Sequence, residues 1–187
     1  MTAPPSARQE QPAQDELAAL EAAPRLELRF VILCCSQAGL RSGTAMRLTP
    51  SNIIEGHIVA RTKRGQVTQT PISTALRAVL NLIPPSTPQD MPIVHALAGR
   101  HYEQTEVHIR KLWRRWKRQC GITRDLRLHD LRRGLARRLY AATQDIRSVQ
   151  SLLSHTQLGS TLHYLDAANR RVTPTALEDA IRRSQAL

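Results

Sequence analysis

Four residues in the last third of the chain have the types and the spacing of a site for phosphodiester chemistry. His129 and Arg132 stand three residues apart, His155 follows them, and Tyr164 lies nine residues beyond His155. A phosphodiester carries a negative charge that repels nucleophiles, so metal-free attack needs fixed cations at the non-bridging oxygens and a proton donor for the leaving oxygen. Arginine, histidine and a tyrosine hydroxyl supply these groups. The pattern predicts a site that cuts phosphodiester bonds.

The order of these residues resembles the C-terminal motifs of the tyrosine recombinases, also called phage-type integrases. In that family H-x-x-R is followed about two dozen residues later by G-H and then by a tyrosine, and here Ser154 replaces the glycine. Two upstream segments resemble the remaining motifs: residues 37–43 contain Arg41, and residues 61–65 contain Lys63. Several motifs in the same order are a far more specific signal than one motif alone.

The resemblance implies a nucleophile and a phosphate clamp. Tyr164 would attack the scissile phosphorus, which leaves a 3′-phosphotyrosyl bond and a free 5′-hydroxyl, and rejoining would need no ATP. Arg41 and Arg132 would hold the two non-bridging oxygens, where charge accumulates in the transition state. Each guanidinium offers a fork of donors, which suits phosphate better than a single ammonium group.

The remaining motif residues are assigned to proton transfer and positioning. Lys63, at the tip of a predicted hairpin between Arg61 and Arg64, would protonate the leaving 5′-oxygen. His155 would donate a hydrogen bond to a phosphate oxygen. His129 would position the tyrosine or accept its proton, since histidine can exchange protons near neutral pH.

One position departs from the family pattern, and two other functions stay open. Thr44 stands three positions after Arg41, where the family usually has an acidic residue. The absence of that acidic side chain is expected to loosen Arg41 and lower activity. The first alternative is a DNA-binding accessory protein that has lost catalysis. The second is an enzyme like a type IB topoisomerase, which uses a similar set of side chains.

The charge of the chain points to double-stranded DNA as the partner. The formal net charge is +12, and the sequence pI is about 11.1. A membrane-surface helix would need a rim of Trp and Phe, yet the only phenylalanine is Phe30. The low aromatic content, 3%, also disfavours a single-strand binder that stacks bases. Beside the catalytic set, we predict contacts with DNA from Arg61, Arg64, Arg110, Arg114, Arg118 and Arg133.

Cysteine and histidine spacing predicts a reduced protein that needs no cofactor. Cys34, Cys35 and Cys120 lack the C-x-x-C spacing of a zinc site and are interpreted as buried thiols in a reducing cytoplasm. The histidines outside the motifs lack partners at metal-ligand spacing, so we expect no metal site. With no apolar run of membrane-spanning length and no signal peptide pattern, the protein is expected in the cytoplasm, associated with the nucleoid.

The fold class expected from these patterns is mainly α with a small antiparallel sheet (α+β), the DNA breaking-rejoining fold of tyrosine recombinase catalytic domains. Residues 1–23 are predicted to be a flexible arm that at most contains a short helix, and residues 24–187 to be the catalytic domain. The resemblance also implies a homotetramer on DNA, and the helix at about residues 174–186 either is exchanged between protomers or packs on its own core. It covers the catalytic half of the family, so a separate DNA-clamping or accessory protein is a possible partner.

Sequence periodicity places the motifs on specific elements. Apolar spacing predicts a helix from Leu26 that ends near Gly39, and alternation over residues 53–70 predicts a small sheet. Residues 74–83 are predicted to form a helix, and Thr105 is predicted to cap another helix that carries an apolar stripe and a basic face. The final motifs fall on helices that begin near Leu128 and after Asp145.

Overall fold

The computed structural model describes residues 11–61 and 67–153. Within these ranges the helices are α1 (Gln14–Glu21), α2 (Leu26–Ser36), α3 (Ser42–Ala45), α4 (Thr74–Leu80), α5 (Ile93–Ala98), α6 (Thr105–Gln119), α7 (Leu128–Thr143) and α8 (Ile146–Leu153), with a 3-10 turn at Pro50–Asn52. The strands are β1 (Ile53–Ile54), β2 (His57–Arg61) and β3 (Val67–Pro71). The predicted fold class, mainly helical with a small antiparallel sheet, is confirmed.

Helix α2 forms the centre of the core. It is apolar around most of its circumference, and it contacts α1, α3, α4, α5, α6 and α7. A helix that is apolar on all sides is stable only when other elements surround it. Its chain leaves through Gly39, which has a φ of +64° and lies so close to α7 and α8 that a Cβ atom would sit 3.4 Å from the side chains of Leu135 and Leu152. The positive φ favours glycine at the turn that leads to Arg41, because other residues rarely adopt this backbone conformation.

The three strands form an antiparallel sheet in the order β1-β2-β3. Ile58 and Ala60, two residues apart on β2, are buried against the helical core, as the two-residue period of a strand requires. Arg61 is the last residue of β2. The predicted hairpin tip with Lys63 and Arg64 lies between β2 and β3, outside the described residues.

Residues 14–21 of the predicted N-terminal arm form α1, the short helix that the sequence allowed there. Its Leu17 and Leu20 are buried in the main core, so this part of the arm packs against the domain. Trp116 Nε1 donates to the carbonyl oxygen of Leu20 over 3.0 Å, and Arg124 binds both carboxylate oxygens of Glu16 at 2.5 Å. The local composition has few apolar residues, so the helix forms because α2 and α6 provide a surface that buries its two leucines.

We expect Leu20→Ala to destabilise the domain strongly, because this side chain is fully buried between α1 and the core. The loss in the free energy of unfolding should be about 2–5 kcal/mol, measured by urea denaturation. Leu82→Ala is the matched control, because Leu82 is 55% exposed and its truncation should change stability by less than about 0.5 kcal/mol. Equal effects of the two substitutions would show that α1 is not docked in solution.

Helix α6 has the predicted amphipathic character. Ile109 and Trp113 are buried, and Trp113 Nε1 donates to the carbonyl oxygen of Leu126 over 3.1 Å. Its predicted cap is wrong: Gln104 precedes the helix, and the hydroxyl of Thr105 instead lies 2.8 Å from His95 Nε2. None of the helices in residues 11–61 and 67–153 is both long and apolar enough to cross a bilayer.

The adjacent cysteines of α2 are buried free thiols, as predicted. Burial raises the pKa of Cys35 to about 12, although the positive charge of Arg132 opposes this shift, and burial also raises the pKa of Cys34 well above its ordinary value. Cys120, at the end of α6, is free and half-buried. Thiols with raised pKa values are inert as nucleophiles, so Cys34 and Cys35 serve as packing residues of the core.

Candidate functional site

The side chain of Arg132 joins two of the predicted motif segments. It extends from α7 with only 3% of its surface exposed. Its Nη1 donates to the carbonyl oxygen of Gly39, and its Nη2 donates to the carbonyl oxygen of Leu153 over 2.6 Å. Gly39 lies two residues before Arg41, and Leu153 lies two residues before His155 in the sequence. One buried guanidinium therefore brings the Arg41 turn next to the end of α8.

Arg41 lies at the start of α3 and is exposed. Its backbone is extended, with φ −70° and ψ 141°, and its carbonyl oxygen accepts hydrogen bonds from the amides of Thr44 and Ala45, each at 2.9 Å. These bonds fix the direction of the backbone where the Arg41 side chain leaves it. Because the guanidinium is at the surface, it is accessible to a charged ligand.

His129 is half-buried in the first turn of α7 and is surrounded by arginines. Its pKa is lowered below the ordinary value, first by burial and then by the positive charges of Arg133, Arg132 and Arg41, while Asp130 opposes the shift. Arg41 and Arg132 are thus close enough to His129 to interact with it electrostatically. A lowered pKa keeps the imidazole neutral at neutral pH, the form that can accept a proton.

The lowered pKa of His129 predicts a pH-dependent stability. The unfolded chain binds a proton at this residue near pH 6.5, whereas the folded protein resists protonation, so the free energy of unfolding should fall as pH drops below that value. We expect urea denaturation to show this fall between about pH 7.5 and pH 5.5, and His129→Gln to reduce it. His95, whose pKa is lowered chiefly by burial, contributes in the same direction. His57→Gln, at an exposed histidine, is the control; an unchanged pH slope in His129→Gln would refute the assignment.

An open groove of about 650 Å³ leads away from His129 along α6. One wall is formed by Ser42 of α3 and by Met46, the residue after α3, and another by the chain that enters α7. Three cations of α6 line the groove, at the helical spacing that places them on one face: Arg110, Arg114 and Lys117. Positively charged residues outnumber the two acidic ones, Glu106 and Asp125, along this groove, so it suits a ligand with repeated negative charges.

The residues predicted to contact DNA divide into groups. Arg110 and Arg114 line the groove beside His129, and the guanidinium of Arg110 lies 2.5 Å from Glu106. Arg118 lines a second groove of about 430 Å³ on another side of α6, together with Lys111 and Arg115. Arg133 is mostly buried beside His129, 3.5 Å from the carboxylate of Asp130.

The described residues contain half of the predicted catalytic set. Arg41, His129 and Arg132 lie together, whereas Lys63, His155 and Tyr164 fall outside the described ranges. Sequence reasoning missed two features of this site. The groove wall at Ser42 adjoins a motif and could have been found from its position, but the carbonyl oxygens bound by Arg132 carry no signal in the sequence, because every residue has one.

Comparison with known proteins identifies the fold. The XerH site-specific recombinase, in its crystal structure with the difH substrate, superimposes with a TM-score of 0.69 at 20% identity, over 92% of this chain and 53% of that chain. The catalytic domain of bacteriophage HP1 integrase gives a TM-score of 0.60 at 17% identity, over 92% of this chain and 93% of that domain. Both comparisons show that the fold is that of tyrosine recombinase catalytic domains.

The sequence comparisons show the family. Residues 11–171 match the Phage integrase family, so the chain belongs to that family. Tyrosine recombinase XerC from Haemophilus ducreyi is 32% identical over 91 residues, which are 49% of this chain and 29% of that protein. The chain thus spans less than a third of XerC and about half of XerH. The predicted family and fold are confirmed.

Proposed function

We propose that this chain carries the catalytic site of a site-specific DNA recombinase, which cuts and rejoins DNA strands through a covalent 3′-phosphotyrosyl intermediate. The observation that carries the proposal is the buried guanidinium of Arg132, which binds the Gly39 turn and the end of α8 at once. Motif segments that are far apart in the sequence thereby meet beside His129. Membership of the phage integrase family supports the same function.

The proposed reaction begins with attack by Tyr164 on the scissile phosphorus. A phenol with an ordinary pKa of about 10 is a weak nucleophile at neutral pH, so it needs cations nearby to stabilise its phenolate. The new bond joins the tyrosine oxygen to phosphorus as the bond to the 5′-oxygen breaks, and Lys63 gives that oxygen a proton. Reversal of these steps by another 5′-hydroxyl rejoins a strand with no external energy source.

Arg41 and Arg132 are proposed to stabilise the charge that builds up on the non-bridging oxygens. Arg41 is exposed, whereas Arg132 is buried and anchored to two carbonyl oxygens. The anchored guanidinium contributes fixed positive charge, which needs no reorganisation during the reaction. His129, held neutral by its surroundings, would accept the tyrosine proton or position the hydroxyl, and His155 would donate to a phosphate oxygen.

The groove along α6 is proposed to hold the DNA backbone. Arg110, Arg114 and Lys117 lie on the wall of the groove that His129 also lines, so a phosphate chain lying against them would reach the site. Arg118, Arg133, Arg61 and Arg64 are proposed as further contacts. Double-stranded DNA is therefore the proposed substrate. We also propose that the protein acts in the cytoplasm, in association with the nucleoid.

The assembly on DNA is also a proposal. We propose a homotetramer that exchanges the helix at about residues 174–186, a segment outside the described residues. A separate DNA-clamping or accessory protein is proposed as a further partner.

Trapping on a nicked duplex tests the proposed chemistry. A nick close to the cleavage position lets the short 5′-hydroxyl strand diffuse away, so rejoining fails and the covalent complex accumulates. A pool of such duplexes with randomised sequence avoids any assumption about the target site. We expect a protein-DNA adduct that survives denaturing electrophoresis and maps to the peptide containing Tyr164.

The alternatives give different results in the same system. Tight DNA binding without an adduct would favour a non-catalytic accessory protein and contradict the proposal. Relaxation of supercoiled plasmids of unrelated sequence would favour an activity like that of type IB topoisomerases.

A further inference from the structure

The carboxylate of Glu21, at the end of α1, binds the chain that leads into the Arg41 turn. Its Oε1 accepts a hydrogen bond from the hydroxyl of Ser36 over 2.5 Å. Its Oε2 accepts one from the side-chain amide of Gln37 over 2.7 Å. Ser36 ends α2, and Gln37 is the next residue, so both oxygens hold the start of the turn. Hydrogen bonds to an ionised acceptor are about twice as strong as bonds between neutral groups.

The amide of Gln37 extends this contact to the sheet side of the site. Its Oε1 accepts a hydrogen bond from the hydroxyl of Ser73 over 2.5 Å. The oxygen of the Ser73 hydroxyl in turn accepts a hydrogen bond from the backbone amide of Leu76, at the start of α4. Because Nε2 donates to Glu21, the Gln37 amide has one favourable orientation. Glu21 therefore fixes the α2 end relative to α4, which follows β3 directly.

The same short segment is held from α7. Arg138 Nη2 donates to the carbonyl oxygen of Ser36 over 2.9 Å, and Arg132 donates to the carbonyl oxygen of Gly39. The positive φ of Gly39 makes this turn easy to deform unless contacts from other elements restrain it. Glu21 provides the restraint from α1, on the N-terminal side of the turn.

We infer that Glu21 is a positioning residue for DNA cleavage: through Ser36 and Gln37 it fixes the turn that presents Arg41 to the scissile phosphate. The inference rests on the proposed recombinase function. A clamp must match the transition state closely, since misplacement of reacting groups by about 1 Å can cost about 100-fold in rate. Glu21 touches no reacting atom, so its effect appears in the cleavage step and leaves DNA affinity unchanged.

Glu21→Gln tests the inference, with Glu16→Gln as the matched control. Glu21→Gln replaces one acceptor oxygen with an NH2 group, which then faces either the hydroxyl of Ser36 or the side-chain amide of Gln37, both of which donate to Glu21. Glu16→Gln weakens the pairing of α1 with Arg124 and leaves the turn untouched. At saturating nicked duplex, we expect Glu21→Gln to slow adduct formation about 10- to 100-fold, with the DNA dissociation constant within about 2-fold of wild type. Glu16→Gln should cleave at the wild-type rate.

A rescue variant separates positioning from a loss of folding. In Glu21→Gln combined with Gln37→Glu, the amide and the carboxylate exchange places and the same hydrogen bonds can re-form, so the rate should recover. Equal rates for wild type and Glu21→Gln would overturn the inference, as would an equal loss in Glu16→Gln. Failure of the double variant to recover, with its melting temperature unchanged, would also overturn it.

Absence of any adduct with the wild-type protein would refute the proposed function by itself. The inference is then decided by hydrogen exchange at the amide of Leu40, which donates to the carbonyl oxygen of Cys34 over 2.9 Å within the turn. Faster exchange in Glu21→Gln, about 10-fold, with no change in Glu16→Gln, supports positioning of the turn. Unchanged exchange in both variants overturns it.

Discussion

Tyr164→Phe is expected to abolish the covalent adduct with nicked DNA while leaving DNA binding unchanged. Phenylalanine keeps the ring and removes only the hydroxyl, so the change deletes the nucleophile with little effect on packing. Loss of a nucleophile removes the covalent step outright, and the rate should fall by on the order of 10⁴-fold or more. The measurement is adduct formation on a denaturing gel, with DNA affinity measured in parallel by fluorescence anisotropy.

The two other tyrosines of the chain are the controls for this prediction. Tyr102 packs between α2 and α6, where its ring stacks on the ring of His108 with 3.9 Å between the two ring centres. Tyr140 is half-buried on α7. Tyr102→Phe and Tyr140→Phe should both retain the adduct. An adduct that persists in Tyr164→Phe and disappears in Tyr140→Phe would move the nucleophile to α7 and refute the motif assignment.

Substitution of Arg132 is expected to have the second-largest effect, on stability and on cleavage together. Arg132→Ala removes the donor from the carbonyl oxygens of Gly39 and Leu153 at a buried position. Removing a donor from a buried acceptor costs about 1–3 kcal/mol for each acceptor left unsatisfied, so the free energy of unfolding should fall by roughly 2–5 kcal/mol. Urea denaturation measures this loss.

Arg132→Lys separates the charge from the geometry. Lysine keeps a positive charge, but its single ammonium group cannot reproduce the planar fork that spans two carbonyl oxygens. We expect partial recovery of stability and a rate of adduct formation about 100- to 1000-fold below wild type. Arg147→Ala, at an exposed arginine of α8, is the control and should change neither property. Near-wild-type cleavage by Arg132→Lys would show that the fork is not needed.

Most secondary structure was predictable from the sequence, because helices and strands have local periodicity. The apolar stripe of α6, the buried α2, the three-stranded sheet and the Asp145 cap of α8 follow the predicted patterns. Helix ends were less predictable, since α4 ends at Leu80 and Thr105 makes tertiary contacts in place of a cap. The end of a helix depends on competing contacts that local sequence does not contain.

Part of the candidate site was also predictable. The motif spacing selected Arg41, His129 and Arg132, and the structure places these three residues together. The sequence did not predict that Arg132 is buried or that α1 packs against the core. These features depend on which surfaces of the folded chain meet. Two leucines in a polar segment give the same sequence pattern whether or not another element packs against them.

The sequence by itself determined the family, the candidate chemistry and the elements that carry it, since residue types at fixed spacing are properties of the chain. Only the tertiary structure decided how Arg132 joins Gly39 to Leu153 and how Glu21 reaches Ser36 and Gln37. The physical reason is that these bonds link residues far apart in the chain. Two of the four acceptors are backbone carbonyl oxygens, which every residue has, so the selection of these two depends on packing alone.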